Sequence, residues 1–277
     1  MSSMQWRGAV VVVTGAASGI GRSIARSAAA RGSRVVVADV EGDLAVKTAE
    51  EIAGEGGTAI GVRADVTDPE SVQDMADRAF GEYGRVDVLC NNAGVTMRPF
   101  RAIWDASLAD FRWMMEVNYF GIVNGLHAFL PRMREQDGRR HIVNTSSMAT
   151  LSEVPGHGMY TASKAAVDGI SDVLRAEFAD QGDDIGVTVL YPGTVVTRIG
   201  TSERLRDAAD RSEARGVRPY ERKNAGQQQH EQAIDADEVG PMVLRAVEAG
   251  APYCLTHPAP ADDLRARLDA WINGHRA

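Results

Sequence analysis

Residues 9–31 of the chain read AVVVVTGAASGIGRSIARSAAAR, and these residues indicate the class of fold. It opens on a continuous valine run, which predicts a strand buried on both faces. A glycine-rich turn follows, and then an alanine-rich segment of helical length. The glycine spacing is not G-x-G-x-x-G, so the turn alone is weak evidence. Its place between a first strand and a first helix, whose N-terminus can bind a pyrophosphate, predicts a dinucleotide site.

The same alternation of short apolar runs and helix-length segments continues along most of the chain. We predict strands at Ala9–Thr14, Arg34–Asp39, Ala59–Val62, Val86–Asn91, His141–Thr145, Gly186–Tyr191 and Pro252–Thr256. We predict helices at Ile20–Arg31, Leu44–Gly54, Pro69–Tyr83, Leu108–Arg134, Tyr160–Asp180 and Ala236–Ala249. No repeat or linker interrupts this order. The sequence therefore predicts the α/β class, with one domain over 1–277 built on a doubly wound parallel sheet of about seven strands with helices on both faces, of Rossmann type.

Two segments depart from the alternation. Residues 194–232 follow the sixth strand, and from Thr201 to Gln232 they are rich in Arg, Asp, Glu and Gln, including Gln227–Gln229. Ligands of open α/β sheets bind beyond the carboxyl ends of the strands, so we interpret this segment as a substrate-binding loop and mobile lid. A solvated surface excursion is the alternative. Residues 251–277 are predicted as a C-terminal strand and a tail.

Composition excludes several classes of function. The formal net charge of −8 argues against nucleic acid as a partner. No apolar stretch reaches the ~18 residues of a membrane span, and the N-terminal run is too short for a signal peptide, so we expect a cytoplasmic protein without a membrane partner. Cys90 and Cys254 lie in apolar runs and are expected to be buried. No His, Cys and carboxylate cluster suggests a metal site.

The second predicted strand ends at Asp39, about 20 residues after the glycines, where an acid accepts hydrogen bonds from the adenosine ribose. A carboxylate there repels a 2′-phosphate, and no Arg or Lys stands beside Ser18 in the turn to offset it. The sequence therefore favours NAD over NADP as the cofactor. An ordinary acid at a strand end is the alternative interpretation.

Tyr160 and Lys164 stand four residues apart at the start of a predicted helix, so they share one face. The chain has three lysines among its 30 basic residues, so a lysine here is unusual. An ammonium about 4 Å from a phenol would bring the phenol's pKa from ~10 toward neutrality. That pKa would suit a general acid and base.

With these residues the chain resembles the classical subgroup of the short-chain dehydrogenase/reductase family, over essentially its whole length. The resemblance rests on a set of motifs in the family's order and approximate spacing. They are Thr14–Gly21, Asp65-Val66, Asn91-Asn92-Ala93-Gly94, Asn118, Ser147, Tyr160-x-x-x-Lys164 and Pro192-Gly193. Each fragment alone is weak evidence, whereas the set together is specific.

The resemblance implies four catalytic residues. Tyr160 would be the general acid and base, and Lys164 would lower its pKa while binding the nicotinamide ribose. Ser147 would hydrogen-bond the substrate oxygen, with its neighbour Ser146 as the rival for that role. Asn118 would hold a water that relays protons from Lys164.

The resemblance also implies how NAD would be bound. Asp65 would contact adenine, Asn91 would lie near the adenosine ribose, and Gly94 would let the backbone pass close to the cofactor. The full implied set is Gly15, Ser18, Gly19, Ile20, Gly21, Asp39, Asp65, Val66, Asn91, Ala93, Gly94, Tyr160, Lys164, Pro192, Gly193, Val195 and Thr197.

Taken together, these features predict an oxidoreductase that moves hydride between NAD(H) and a secondary alcohol or ketone. The expected pocket is apolar and suits a bulky hydrophobic substrate. It would be lined by Met97, Phe100, Trp104, Met148, Leu151, Val154 and Met159, although packing explains each of these equally well. Arg98 and Arg101 would either meet a substrate carboxylate or be solvated. His141, His157 and His257 are expected to be structural.

Several alternatives remain open at this stage. They are an NADP-dependent reductase of a small carbonyl compound, an NAD-binding scaffold without catalysis, and a different Rossmann-type enzyme such as a methyltransferase. The last would have no use for the Tyr160–Lys164 pair. The family resemblance also implies a homotetramer or a homodimer, with Leu108–Arg134 and Tyr160–Asp180 at one interface and the C-terminal segment at another.

Overall fold

The apolar runs of the sequence become the strands of one parallel sheet. The computed structural model describes residues 4–212, 219–220 and 232–274. The sheet contains β1 (Val10–Thr14), β2 (Arg34–Asp39), β3 (Thr58–Arg63), β4 (Val88–Asn91), β5 (Arg140–Thr145), β6 (Ile185–Tyr191) and β9 (Tyr253–Leu255). The strands β7 (Val195–Val196) and β8 (Ile234–Asp235) form a separate parallel pair. The predicted seven-stranded sheet is confirmed.

Helices connect the strands and cover both faces of the sheet. They are α1 (Gly19–Ala30), α2 (Gly42–Gly54), α3 (Pro69–Tyr83), α4 (Leu108–Met115), α5 (Gly121–Arg134), α6 (Gly158–Gln181), α7 (Ala236–Ala249) and α8 (Ala261–Asn273). Alternate valines of β1 face opposite ways. Val11 and Val13 pack in one core with α1, α2 and α7, whereas Val10 and Val12 pack in the other with α3 and α5. This two-sided burial explains why β1 is a continuous apolar run.

The strand order is β3-β2-β1-β4-β5-β6-β9. The chain winds outward from β1 in one direction and from β4 in the other, so the topology reverses between these two neighbours. In open α/β sheets a crevice forms beyond the carboxyl ends of the strands at such a point. Here the glycine-rich turn after β1 and the residues after β4 border that crevice.

Two predicted elements differ from the structure. The predicted helix Leu108–Arg134 is interrupted by a π-helical turn at Glu116–Phe120. The predicted tail within 251–277 instead contains α8, and this is a correction. The helix was missed because none of its residues is buried, so no core signal marks it. Its apolar residues still recur at helical spacing, at Leu264, Leu268, Trp271 and Ile272.

The predicted lid, residues 194–232, is only partly described. Gln227–Gln229 lie outside the described residues. The described part holds β7 and short 3₁₀ turns at Arg198–Leu205 and Ala208–Asp210. Cys90 and Cys254 are buried, as expected. Over the described ranges, no helix is long and apolar enough to cross a membrane.

His141 on β5 couples stability to pH. Its side chain is fully buried, and its Nε2 lies 2.8 Å from Thr188 Oγ1. Burial lowers the pKa of His141 to about 3, against about 6.5 in an unfolded chain. Between these values the unfolded state binds more protons, so the free energy of unfolding falls as pH falls.

We expect His141 to remove about 2 kcal/mol from the free energy of unfolding between pH 7 and pH 5. Denaturant unfolding at the two pH values measures this loss. A His141→Gln variant, which keeps a hydrogen-bonding partner for Thr188, should show a correspondingly smaller dependence on pH. Equal pH dependence in both proteins would contradict the prediction.

Candidate active site

A cavity of about 630 Å³ lies at the carboxyl ends of the strands. Most of the predicted site residues line it. They are Gly15, Ser18, Gly19, Ile20, Gly21, Asp39, Asp65, Val66, Ala93, Gly94, Ser147, Tyr160, Lys164, Pro192, Gly193, Val195 and Thr197. Asn91 and Asn118 are the two predicted site residues that do not line it. The fold thus brings distant motifs of the sequence to one cavity.

The glycine-rich turn is shaped by close approach of backbone to backbone. Gly15 and Gly19 have φ of 64° and 54°, a region that favours glycine. A Cβ on Gly21 would lie 2.2 Å from the carbonyl oxygen of Gly15. Ser18 precedes α1 without making a side-chain cap, so its hydroxyl is available at the cavity. This cradle, closed by glycines at a helix N-terminus, fits a pyrophosphate.

Asp39 ties the end of β2 to the glycine-rich turn. Its carboxylate accepts hydrogen bonds from the backbone amides of Ala17 at 3.1 Å and Glu41 at 3.0 Å. Burial raises the pKa of Asp39, and the two amide hydrogen bonds oppose that rise. Asp65 accepts hydrogen bonds from the Thr67 amide and hydroxyl. Both acids line the cavity, so this end can accept hydrogen bonds from the ribose hydroxyls and the exocyclic amino group of an adenosine.

The prediction for Asn91 needs correction. Its side chain points into the sheet, where its Nδ2 donates to Asn144 Oδ1 at 2.9 Å. A Cβ on Gly125 would meet its Oδ1, so α5 packs directly against it. The next residue, Asn92, lines the cavity instead. Successive side chains at a strand end point in opposite directions, which is why the neighbour takes this place.

Asn118 lies in the π-helical turn and is fully buried. Its Oδ1 accepts from the Val95 amide at 2.8 Å, and its Nδ2 donates to the Val95 carbonyl at 3.1 Å and to Ser163 Oγ at 2.9 Å. These bonds engage both protons of the side-chain amide and one of the two lone pairs of its oxygen. The side chain fixes the segment that follows β4 against α6.

Ser147 and Ser146 follow β5 and point in different directions. Ser147 Oγ accepts from the Ala149 amide at 3.1 Å and hydrogen-bonds Tyr160. Ser146 Oγ instead donates to the main-chain carbonyl of Lys164 at 3.2 Å. Ser147 is therefore the serine placed to share a substrate oxygen with the phenol.

Tyr160 and Lys164 share one face of α6, and the ammonium of Lys164 hydrogen-bonds the main chain. Lys164 is 2% exposed, and its Nζ donates to the Thr145 carbonyl at 2.8 Å and lies 5.9 Å from the centroid of the Tyr160 ring. Burial raises the pKa of Tyr160, opposed by the hydrogen bond from Ser147. Burial also lowers the pKa of Lys164 to about 8. The expected fall in the phenol's pKa is thus not found in this geometry, because desolvation of the phenol dominates.

The predicted apolar substrate wall also needs correction. Met97, Met148 and Met159 are buried in the core, so packing is the right interpretation for them. Trp104 is 81% exposed and does not line the cavity. The observed wall comes from α4, the π-helical turn and the lid. Its side chains include Arg112, Trp113, Val117, Ile199, Leu205 and Arg206.

The Arg101 side chain neither lines the cavity nor contacts solvent, contrary to both expectations. Its side chain is fully buried and forms an ion pair with Asp110, which is also fully buried. Arg206 reaches the same carboxylate at 3.0 Å, and Glu203 lies 3.2 Å from Arg101. We call Arg101, Asp110, Glu203 and Arg206 the buried ionic cluster. It joins the described part of the lid to the start of α4.

The three histidines occupy structural or peripheral positions. His141 is buried in the sheet, and His257 bonds Thr256 and the Gln232 carbonyl. His157 packs edge-on against Phe100, with ring centroids 4.0 Å apart, and contacts the Tyr160 ring. Within the described ranges, no group of three or more His, Cys, Asp or Glu residues is placed to hold a metal ion.

Several residues at this cavity carry no local signal in the sequence. Glu41 and two arginines of the lid, Arg198 and Arg204, line its adenosine end, and Glu41 forms an ion pair with each arginine. Both arginines lie more than 150 residues after Glu41 in the sequence. No local motif could have connected them.

Comparisons with known proteins agree with this arrangement. The family model described as short chain dehydrogenase matches residues 9–208. The chain is 40% identical to 1-deoxy-11-beta-hydroxypentalenate dehydrogenase of Streptomyces avermitilis over 194 residues, 70% of this chain and 71% of that protein. It is 34% identical to the CLA biosynthesis dehydrogenase/reductase of Lactiplantibacillus plantarum, covering 90% and 88%. A short chain dehydrogenase/reductase from Burkholderia phymatum, solved in complex with NAD, superposes with a TM-score of 0.85 at 33% identity, covering 97% and 96%.

Proposed function

The chain belongs to the short-chain dehydrogenase/reductase family and is an oxidoreductase acting on hydroxyl or keto groups, and we propose that it transfers hydride between NAD(H) and a bulky, hydrophobic secondary alcohol or its ketone. One observation carries this proposal. The pair Ser147 and Tyr160, with Lys164 below them, faces the same cavity as the glycine-rich turn and Asp39. Proton-transfer groups and a dinucleotide cradle therefore share one space.

The described residues fit a bound dinucleotide. The glycine-rich turn would hold the pyrophosphate, Asp39 the adenosine ribose and Asp65 the adenine. Lys164 would bind the nicotinamide ribose. A Cβ on Gly94 would lie 3.2 Å from Lys164 Nζ, so the glycine leaves room beside the ammonium. When bound, the nicotinamide supplies or accepts the hydride. The segment Pro192–Thr197 would orient it.

The chain itself manages the proton. In reduction, the Tyr160 hydroxyl donates its proton to the substrate oxygen as negative charge develops there, and the Ser147 hydroxyl donates a second hydrogen bond. Both bonds strengthen in the transition state, which is what lowers the barrier. In oxidation, the Tyr160 phenolate takes the proton from the alcohol. The ammonium of Lys164, one turn along α6, would favour that phenolate electrostatically, in opposition to the burial that raises the pKa of Tyr160.

NAD is the proposed cofactor because Asp39 faces the adenosine end, and the NAD complex of the Burkholderia phymatum relative supports this choice. A bulky hydrophobic substrate is supported by Trp113 and Val117 on the cavity wall. The hydroxypentalenate dehydrogenase relative, by its name, oxidises a hydroxyl-bearing compound.

Mixing the protein with NAD and a panel of secondary alcohols tests the proposal through absorbance of the reduced nicotinamide. No signal across a broad panel of bulky and small alcohols would overturn it.

The rate of alcohol oxidation should rise with pH. Oxidation needs the phenolate of Tyr160, whose pKa is raised by burial, so the active form grows as pH increases through the neutral range. Reduction needs the neutral phenol and should not gain from the same change. Initial rates from pH 6 to pH 8, below which Lys164 keeps its charge, measure this in both directions. An oxidation rate that falls over that range would contradict the assignment of Tyr160.

We also propose that the protein is a homotetramer. Apolar side chains stay exposed on the helices expected at its interfaces, including Phe120 after α4, Val173 on α6 and Trp271 on α8. Light scattering should give a mass four times the 29.7 kDa of one chain. A homodimer would give twice the mass of one chain. A monomer at all accessible concentrations would contradict the proposal.

A further inference from the structure

Glu41 holds two arginines of the lid across the adenosine end of the cavity. Its carboxylate lies 2.6 Å from a guanidinium nitrogen of Arg204 and 3.3 Å from one of Arg198. All three residues line the cavity, next to Asp39. The pKa of Glu41 is lowered, chiefly by the hydrogen bond from Arg204. Glu41 is therefore ionised and engaged with both arginines.

The four charges at this end of the cavity cancel. Asp39 and Glu41 carry two negative charges, and Arg198 and Arg204 carry two positive ones. Asp39 already accepts two backbone amide hydrogen bonds, which spread its charge, and Arg204 acts on it electrostatically. Repulsion by Asp39 alone is thus weakened here. Arginine binds phosphate better than it binds most anions, because its fork matches two oxygens of a dianion.

We propose that Glu41 determines the choice between NAD and NADP by occupying Arg198 and Arg204, the two guanidinium groups that would otherwise bind a 2′-phosphate. This inference rests on the proposed function, because it presupposes that a dinucleotide occupies the cavity. The site carries a latent phosphate-binding pair that the carboxylate of Glu41 neutralises. Removal of that one negative charge should expose the pair without changing the contacts expected for the ribose of NAD.

Equilibrium binding tests this without relying on turnover. NADH and NADPH are titrated into the protein, and the rise in nicotinamide fluorescence gives a Kd for each. The variants are Glu41→Gln, the double variant Glu41→Gln/Arg204→Gln, and Asp39→Asn. Glu55→Gln is the matched control, because Glu55 pairs with Arg26 on the surface at 2.5 Å and does not line the cavity.

We expect Glu41→Gln to lower the Kd for NADPH about tenfold relative to the Kd for NADH, because the negative charge that opposes the two arginines is removed. The double variant should lose most of that gain, and Glu55→Gln should match the wild type. An unchanged ratio in Glu41→Gln, or a gain that survives in the double variant, would overturn the inference. So would a shift seen in Asp39→Asn but not in Glu41→Gln. If the wild type binds neither nucleotide, the proposed function itself fails.

Discussion

Replacement of Tyr160 by Phe should reduce turnover by about 10²–10⁴-fold, the usual contribution of a positioned general acid and base. The substitution removes one hydroxyl from a half-buried ring and leaves its packing against His157 in place. The glycine-rich turn and Asp39 are untouched. The Kd for NADH should therefore stay within about twofold of the wild type. Initial rates and fluorescence titration measure the two quantities on the same preparation.

Tyr83→Phe is the matched control for this substitution. Tyr83 on α3 also carries a buried hydroxyl, and it does not line the cavity. Its removal should leave both turnover and NADH affinity unchanged. Full activity in Tyr160→Phe would contradict the assignment of Tyr160 as the proton donor. Equal losses in both variants would point to a general effect on folding.

Asp110→Asn should lower the free energy of unfolding by about 3–5 kcal/mol, the usual result of removing one partner of a buried ion pair. Asp110 lies between the guanidinium groups of Arg101 and Arg206. Although burial raises its pKa, hydrogen bonds from the Ser107 amide and from both arginines lower it to about 2. The neutral amide would leave two buried positive charges without that counter-charge.

Denaturant unfolding measures this loss, and Asp77→Asn provides the control. Asp77 on α3 pairs with Arg132 on α5 at 2.7 Å, but both side chains are largely exposed. Its substitution should cost less than about 1 kcal/mol, because solvent screens the pair. A loss in Asp110→Asn no larger than in Asp77→Asn would contradict the view that the buried ionic cluster fastens the lid to α4.

The parts of the fold that could be predicted are those with a local signature. The valine run of β1, the glycines after it and the pairing of Tyr160 with Lys164 are each visible within a few residues. The strand order that brings them together follows from the rules of doubly wound sheets. The sheet and most helices were therefore predicted correctly. The apolar residues of α8 recur at helical spacing, but none of its residues is buried in the core. The apolar pattern alone was therefore not enough to predict this helix.

The parts that could not be predicted depend on side-chain direction and on long-range pairing. A methionine near a motif, such as Met97 or Met159, has the same sequence appearance whether it lines a cavity or packs in the core. Asn91 and Asn92 differ only in which way a strand end turns them. The four-residue spacing of Tyr160 and Lys164 does not reveal that Nζ bonds the Thr145 carbonyl.

Ion pairs between residues far apart in the sequence are the clearest example of what could not be predicted. In the sequence, Asp39 alone argues for NAD. The two arginines that pair with Glu41 beside it come from a segment after β6, so the sequence does not connect them with this site. The same holds for Arg101, which no local pattern marks as buried. Its partners are Asp110 nearby and Glu203 about a hundred residues later. Long-range ion pairs of this kind define the walls of the cavity, and only the folded chain reveals them.

Transfer of deuterium from substrate to nicotinamide tests the proposed hydride transfer. A secondary alcohol that the protein oxidises is prepared with deuterium on its carbinol carbon and incubated with NAD and the protein. We predict NADH that carries one deuterium by mass spectrometry, because the hydride passes directly between two molecules held in one cavity. We also predict no deuterated NADH from Tyr160→Phe beyond its residual rate. Reduced nicotinamide without deuterium would contradict the proposed transfer.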